Sequence, residues 1–188
     1  MSSKGKGSSF EREIAVKLSL WWSEGKRDDV FFRSSNSGGR FTVRNKVNKD
    51  TFLGSGDIVA SDPSGKPLMD KWSIEAKTGY GVSTDKGIIR WDILDFIDSR
   101  QKEPVLQKMW NQCKRDANLT HRNPILIFRR NGRSPCIMID WQYYTKLCNF
   151  FGAFYGDYII LNTGNFFCFV TPLDYFFEWI PNIRGILC

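Results

Sequence analysis

Three residue types at set spacing stand out in this chain: an aspartate in Gly56-Asp57-Ile58-Val59-Ala60, and a glutamate and a lysine in Glu75-Ala76-Lys77, eighteen residues on from Asp57. In an extended strand successive side chains alternate, so Glu75 and Lys77 share one face while Trp72, Ile74 and Ala76 share the other. A turn between two strands can bring Asp57 beside Glu75. Two carboxylates so placed repel unless a cation lies between them, and oxygen-only ligands suit Mg2+ or Mn2+. Such an ion can activate water and stabilise charge on a phosphate, and Lys77 adds a fixed positive charge where anionic charge develops. The chemistry is metal-assisted phosphodiester hydrolysis, and it needs no histidine. Each fragment alone also has a plainer reading. Glu-x-Lys on a strand is commonly an exposed ion pair, and Gly-Asp-Ile is an ordinary strand start.

The elements around these residues can be read from periodicity. Met1–Gly7 reads as a flexible basic tail, and Ser8 or Ser9 as the cap of a helix reaching Trp22. On that helix Glu11, Ile14, Leu18 and Trp22 share a face, whereas Glu13 points elsewhere. Val30–Arg33 reads as a strand, residues 34–56 as a long polar loop, 57–60 as a strand and 72–77 as the next. Residues 79–87 read as a loop, and 88–99 as a short helix. Pro104 opens a helix to about Leu119 with Leu106, Met109, Trp110, Cys113 and Ala117 on its apolar face and Lys108, Gln112 and Arg115 in a polar stripe beside it. Two strand pairs follow, 124–128 with 136–139 and 157–161 with 166–170, together with helices at 141–151 and 173–180. Gln112 alone would be a solvated glutamine, Glu11 alone a surface acid, and His121 a residue capping a helix C-terminus.

The 188 residues carry 27 Lys+Arg against 20 Asp+Glu, a net charge of +7, with a pI near 9.2. A basic chain of this kind makes nucleic acid the first partner to consider. The charge is uneven: residues 134–188 hold 2 basic and 4 acidic side chains, so the positive surface lies in the first two-thirds. Arg33, Arg40, Arg44 and Lys46 in and beside the long loop, with Lys108 and Arg115 on the later helix, are the candidate DNA contacts. The single His and the absence of C-x-x-C argue against a multi-histidine zinc site, a zinc ribbon and a disulfide framework. A Cys or Ser hydrolase would rest on His121 alone. The five cysteines read as reduced thiols of a cytoplasmic protein in a prokaryotic or phage-infected cell, and no segment reads as a membrane span.

Ser9-Phe10-Glu11-Arg12-Glu13-Ile14, Arg33-Ser34 with Ser37-Gly38-Gly39, Gly56-Asp57-Ile58-Val59 and Glu75-Ala76-Lys77 together resemble the PD-(D/E)XK nucleases, and most of all the archaeal and phage Holliday-junction resolvases of that superfamily. Trp110–Ala117 followed by Pro124–Arg129 is similar to the helix-then-strand segment after the active site in phage-type members. The resemblance covers about residues 8–130. It implies an α/β (α+β) restriction-endonuclease-like fold, a central mixed sheet flanked by helices, in one nuclease domain over residues 8–188. It implies Asp57 and Glu75 as metal ligands, Glu11 as the helix-borne acid near the metal, Lys77 as catalytic lysine and Gln112 as an auxiliary catalytic residue, with Mg2+ as cofactor and Mn2+ as its substitute. Ser35 or Ser37 matches the loop serine that reaches the substrate. Gly56 departs from the pattern, standing where many members have Pro. The leading function is a structure-selective DNA endonuclease acting on branched DNA as a homodimer. The alternatives are a restriction- or repair-type endonuclease on duplex DNA, and a non-catalytic DNA-binding module of the same fold. The aromatics Phe150, Phe151, Phe154, Tyr155, Phe166, Phe167 and Phe169 are the candidate dimer contact, although core packing explains them as well.

Overall fold

The computed structural model describes residues 3–34, 56–79, 81–84, 87–98, 102–164, 166–181 and 183. Its centre is a five-stranded sheet. In chain order the strands are β1 (Phe31–Arg33), β2 (Ile58–Ala60), β3 (Trp72–Thr78), β4 (Gly81–Thr84), β5 (Gly87–Arg90), β6 (Asn123–Arg129), β7 (Cys136–Asp140), β8 (Ile159–Asn162) and β9 (Phe167–Pro172). The helices are α1 (Ser3–Trp22), α2 (Lys66–Lys71), α3 (Asp95–Asp98), α4 (Val105–Asn118), α5 (Trp141–Phe151) and α6 (Leu173–Trp179). The sheet order is β3-β6-β7-β9-β8, with β3 parallel to β6 and the remaining pairs antiparallel. The sheet is therefore mixed and flanked by helices, as the restriction-endonuclease-like expectation required. Among the described residues no helix is long and apolar enough to cross a membrane.

Alternation along the strands divides the core into two layers. Ile74, Ile125, Ile127, Ile137, Ile139 and Phe169 face α1 and α6, whose Phe10, Ile14, Leu18 and Phe176 are buried against them. Leu126, Phe128, Met138, Cys168 and Val170 face α4, where Leu106, Met109, Trp110 and Cys113 meet them. β6 is apolar without interruption over Ile125–Phe128, because both of its faces are covered. α4 buries the five residues that its 3.6-residue period assigns to one stripe. Buried Ser19 ties α1 to β1: its hydroxyl donates to the Ala15 carbonyl at 2.8 Å and accepts from the Phe31 amide at 2.9 Å.

Several expectations need correction. α1 begins at Ser3, so most of the segment read as a flexible tail is helical. α2 was not anticipated; it follows a turn capped by the Asp62 carboxylate, which accepts from the Ser64 amide at 2.8 Å. Residues 81–84 and 87–90, read as a loop running into a helix, are the antiparallel strand pair β4–β5, consistent with the β-branched Val82, Thr84, Ile88 and Ile89. Among the described residues of the expected helix over 88–99, only Asp95–Asp98 are helical. The candidate dimer contact also divides. Phe154, Phe166 and Phe169 belong to the core, whereas Phe150, Tyr155 and Phe167 are exposed. The four described cysteines, Cys113, Cys136, Cys148 and Cys168, are free thiols.

Candidate active site

Gly56 sets the geometry of the site. Its φ is +97°, a conformation that favours glycine, and a Cβ there would lie 2.6 Å from the Ile74 carbonyl oxygen. Proline, whose ring holds φ near −65°, cannot adopt this turn, so the departure from the superfamily pattern has a local cause. The close approach lets the Asp57 amide donate to the Ile74 carbonyl at 2.7 Å, while the Asp57 carbonyl accepts from the Ser34 amide at 2.7 Å. The β1–β2 hairpin is thereby pinned to the free edge of β3. The Asp57 carboxylate turns inward and accepts from the Ala76 amide at 3.0 Å.

Glu75 projects from β3 toward α4, within hydrogen-bonding reach of Asp57. Lys77, two residues on, follows it on the same face. Its Nζ donates to Glu75 Oε2 at 2.6 Å and lies 3.6 Å from Asp57 Oδ2. All three side chains are largely buried, at 6% exposure for Glu75, 8% for Asp57 and 12% for Lys77. Burial, reinforced by the Asp57 carboxylate, pushes the Glu75 carboxyl up to about 8 against the pull of Lys77. A pocket that resists holding both acids ionised has the character of a cation site short of positive charge. Two carboxylates and no sulfur or imidazole donor fit a hard divalent ion, and Asp57 and Glu75 are the residues able to hold one.

α4 covers this site. Cys113 is fully buried beneath it, and burial, with Glu75 nearby, raises its thiol well above the ordinary range. Gln112 is exposed beside Cys113, and Asp116 follows one turn on. Asp116 is half-buried and lies close enough to feel both Lys77 and Asp57, and burial raises its carboxyl above the usual range. Asp116 was not singled out in the sequence. Its only local signal is the i, i+4 spacing from Gln112.

The other candidates are placed as follows. Glu11 is mostly buried on α1, but its carboxylate pairs with Arg33 on β1. Among the described residues no three His, Cys, Asp or Glu side chains gather in metal-holding geometry. Glu13 does face elsewhere: both of its oxygens accept from Arg129 at 2.8 Å, and the Arg129 guanidinium sits 4.5 Å above the Phe10 ring. Lys108 and Arg115 are exposed along α4. Ser35, Ser37, Arg40, Arg44 and Lys46 lie outside the described residues. His121 follows α4 with φ +54°, and its amide donates to the Asn118 carbonyl at 3.2 Å.

A mixed sheet that presents Glu75-Ala76-Lys77 on its edge strand, with an aspartate delivered from the preceding hairpin, is the arrangement of a PD-(D/E)XK nuclease. The chain belongs to the family described as "Phage putative PDDEXK endonuclease", whose model matches residues 2–178. The match runs well past residue 130, so it takes in most of the aromatic last third of the chain. No curated protein and no solved structure matches the chain.

Proposed function

We propose that this nuclease is a Mg2+-dependent, structure-selective DNA endonuclease that resolves four-way junctions. The observation carrying the chemistry is the buried Asp57–Glu75 pair with the Lys77 ammonium 2.6 Å from Glu75. Mg2+ held by Asp57 and Glu75, with Mn2+ as a substitute, would activate water and stabilise charge at the scissile phosphate. The chain's own groups do the rest. The Ala76 amide fixes Asp57 in one orientation. Lys77 supplies a positive charge that needs no reorganisation as the phosphate gains anionic character. Burial under α4 keeps bulk water from weakening these interactions.

The reading as a junction enzyme rests on the resemblance of Ser9–Ile14, Arg33-Ser34, Gly56–Val59 and Glu75–Lys77 to the junction resolvases of the superfamily. Cleavage of a labelled four-way junction beside a matched linear duplex, with and without Mg2+, tests it. Metal-dependent cutting of the junction in strong preference to the duplex is expected. Equal cutting of both would make this a restriction- or repair-type enzyme, and binding without cleavage a non-catalytic module.

DNA binding is assigned to Arg33, Lys108, Arg115 and the basic segment containing Arg40, Arg44 and Lys46. With about 6–10 phosphate contacts, affinity should fall roughly 10³–10⁵-fold between about 50 and 200 mM salt. Replacing Arg40, Arg44 and Lys46 by Ala should flatten that slope. Two paired nicks need two sites, and closed two-fold symmetry is the commonest way to supply them. The exposed Phe150, Tyr155 and Phe167 are the proposed homodimer contact. Sedimentation at micromolar concentration tests the dimer.

A further inference from the structure

We infer that the turn between β6 and β7 is a further DNA-backbone contact, in which Arg130 and Arg133 hold phosphates of the strand that passes the Asp57–Glu75–Lys77 site. This rests on the reading of the chain as a nuclease that binds DNA. Residues 129–133, Arg-Arg-Asn-Gly-Arg, carry three arginines and no acid. The turn is fastened to the end of β3 that bears Lys77. In the parallel pairing Phe128 stands opposite Lys77, and Arg129 opposite Thr78. The Gly79 amide donates to the Arg129 carbonyl at 3.2 Å, and the Asn131 side-chain oxygen lies 3.1 Å from where a Cβ on Gly79 would stand. The Arg133 amide donates to the Arg130 carbonyl at 3.1 Å. That bond closes a four-residue turn, so the Cα atoms of Arg130 and Arg133 are less than about 7 Å apart.

The three arginines have different surroundings. Arg129 turns to the α1 side, where both Glu13 oxygens accept from it, and it anchors the turn. Arg130 lies on the other side. It pairs with Asp92, whose neighbour Trp91 packs edge-on against Phe128 with 5.7 Å between ring centres. Phe128 belongs to the layer that faces α4, the face of the sheet that carries Glu75 and Lys77. Two residues of extended chain advance about 7 Å, so Arg130 stands roughly one such step past the Lys77 row. The side chains of Arg130 and Asp92 are 42% and 44% exposed, and an ion pair so exposed holds its partners weakly. A guanidinium has five N–H donors in a fork that matches phosphate, and one carboxylate leaves several of them for DNA. Arg133 is exposed and enters no ion pair among the described residues. Two guanidinium groups at the two ends of one turn, beside the site that must meet a scissile phosphate, suit a polyanionic strand.

Binding of labelled duplex and four-way DNA to the metal-free protein, followed by anisotropy over a salt series, tests this without relying on cleavage. Each phosphate contact contributes about 0.9 to the slope of log affinity against log salt. Arg130→Ala combined with Arg133→Ala should therefore flatten the slope by about 2, and Lys at both positions should restore it. Arg133→Glu alone, at an exposed turn position outside the Asp92 pair, should weaken binding too, which keeps the test decisive if the double variant fails to fold. Lys66→Ala combined with Lys71→Ala removes as much charge from α2, at the opposite end of β3, and should leave the slope as in wild type. A wild-type slope in the double arginine variant and wild-type affinity in Arg133→Glu, while replacement of Arg40, Arg44 and Lys46 by Ala flattens the slope, would overturn the inference and leave the DNA-binding reading standing. Equal flattening by the arginine and lysine pairs would also overturn it, since net charge alone would account for the effect. If the wild type binds neither DNA, the DNA-binding reading fails and the inference falls with it.

Discussion

On one face of β3, Trp72, Ile74 and Ala76 are buried against α1 and α6, with Trp72 stacked 6.0 Å from Trp21 and its indole N–H donating to the Tyr143 hydroxyl. On the other face Ser73, Glu75 and Lys77 are buried toward α4. The same seven-residue strand thus buries aromatic and aliphatic surface on one side and three hydrogen-bonding or ionisable side chains on the other. The first face gains free energy from every apolar group removed from water. The second gives some of it back, because two carboxylates and an ammonium are desolvated together. The difference separates what holds the fold from what performs the chemistry, and substitutions on the two faces should fail in different ways.

The largest divergence is expected between Lys77→Ala and Trp72→Ala. Lys77→Ala should lower the single-turnover cleavage rate by roughly 10²–10³-fold, with little change in DNA affinity or melting temperature. Trp72→Ala should cost about 3–5 kcal/mol of stability, seen in denaturant unfolding. Should Lys77→Ala unfold the protein and Trp72→Ala leave it intact, the roles of the two faces have been exchanged.

A smaller effect concerns pH. The Glu75 carboxyl rises from an ordinary 4.5 to about 8 on folding, through burial first and the Asp57 charge second. Between those values the folded protein holds a proton that the unfolded chain releases. Metal-free stability should therefore fall as pH rises through that window and level off above it. Glu75→Gln should remove most of the slope and stabilise the metal-free protein near pH 8. A stability that climbs between pH 5 and 8 in the wild type and is unaltered in Glu75→Gln would contradict the raised carboxyl.

The smallest effect separates the two acids of α1. Glu11→Ala frees Arg33, beside the strand that leads to Asp57, and should reduce cleavage. Glu13→Ala frees Arg129 on the α1 side of the sheet and should change cleavage much less, with a stability loss of about 1 kcal/mol or below. The reverse order in a cleavage assay would mean that the helix face has been misassigned.

The parts of this architecture that were legible in the sequence are those fixed by short-range periodicity. The buried stripe of α4, the alternation along β3 and the β6–β7 hairpin each follow from spacing within one or two elements. The pairing of Asp57 with Glu75 was also legible, since a turn and two strands suffice to bring them together. The β4–β5 hairpin was not, because its glycines and polar residues read as a loop until the two arms are paired. The pairing of Glu11 with Arg33 was not legible either, because the two side chains come from different elements. Local pattern identifies the strand that bears the chemistry, and tertiary contact decides which neighbours join it.

The most direct test of the account is single-turnover cleavage in Mg2+ by Asp57→Asn, with protein in excess so that all labelled junction DNA is bound. The buried acid pair is predicted to be indispensable, so cleavage should fall to background while DNA affinity stays at or above that of wild type, because one charge repelling phosphate has been removed. Cutting at a near wild-type rate by fully bound Asp57→Asn would contradict the assignment of this site as the nuclease centre.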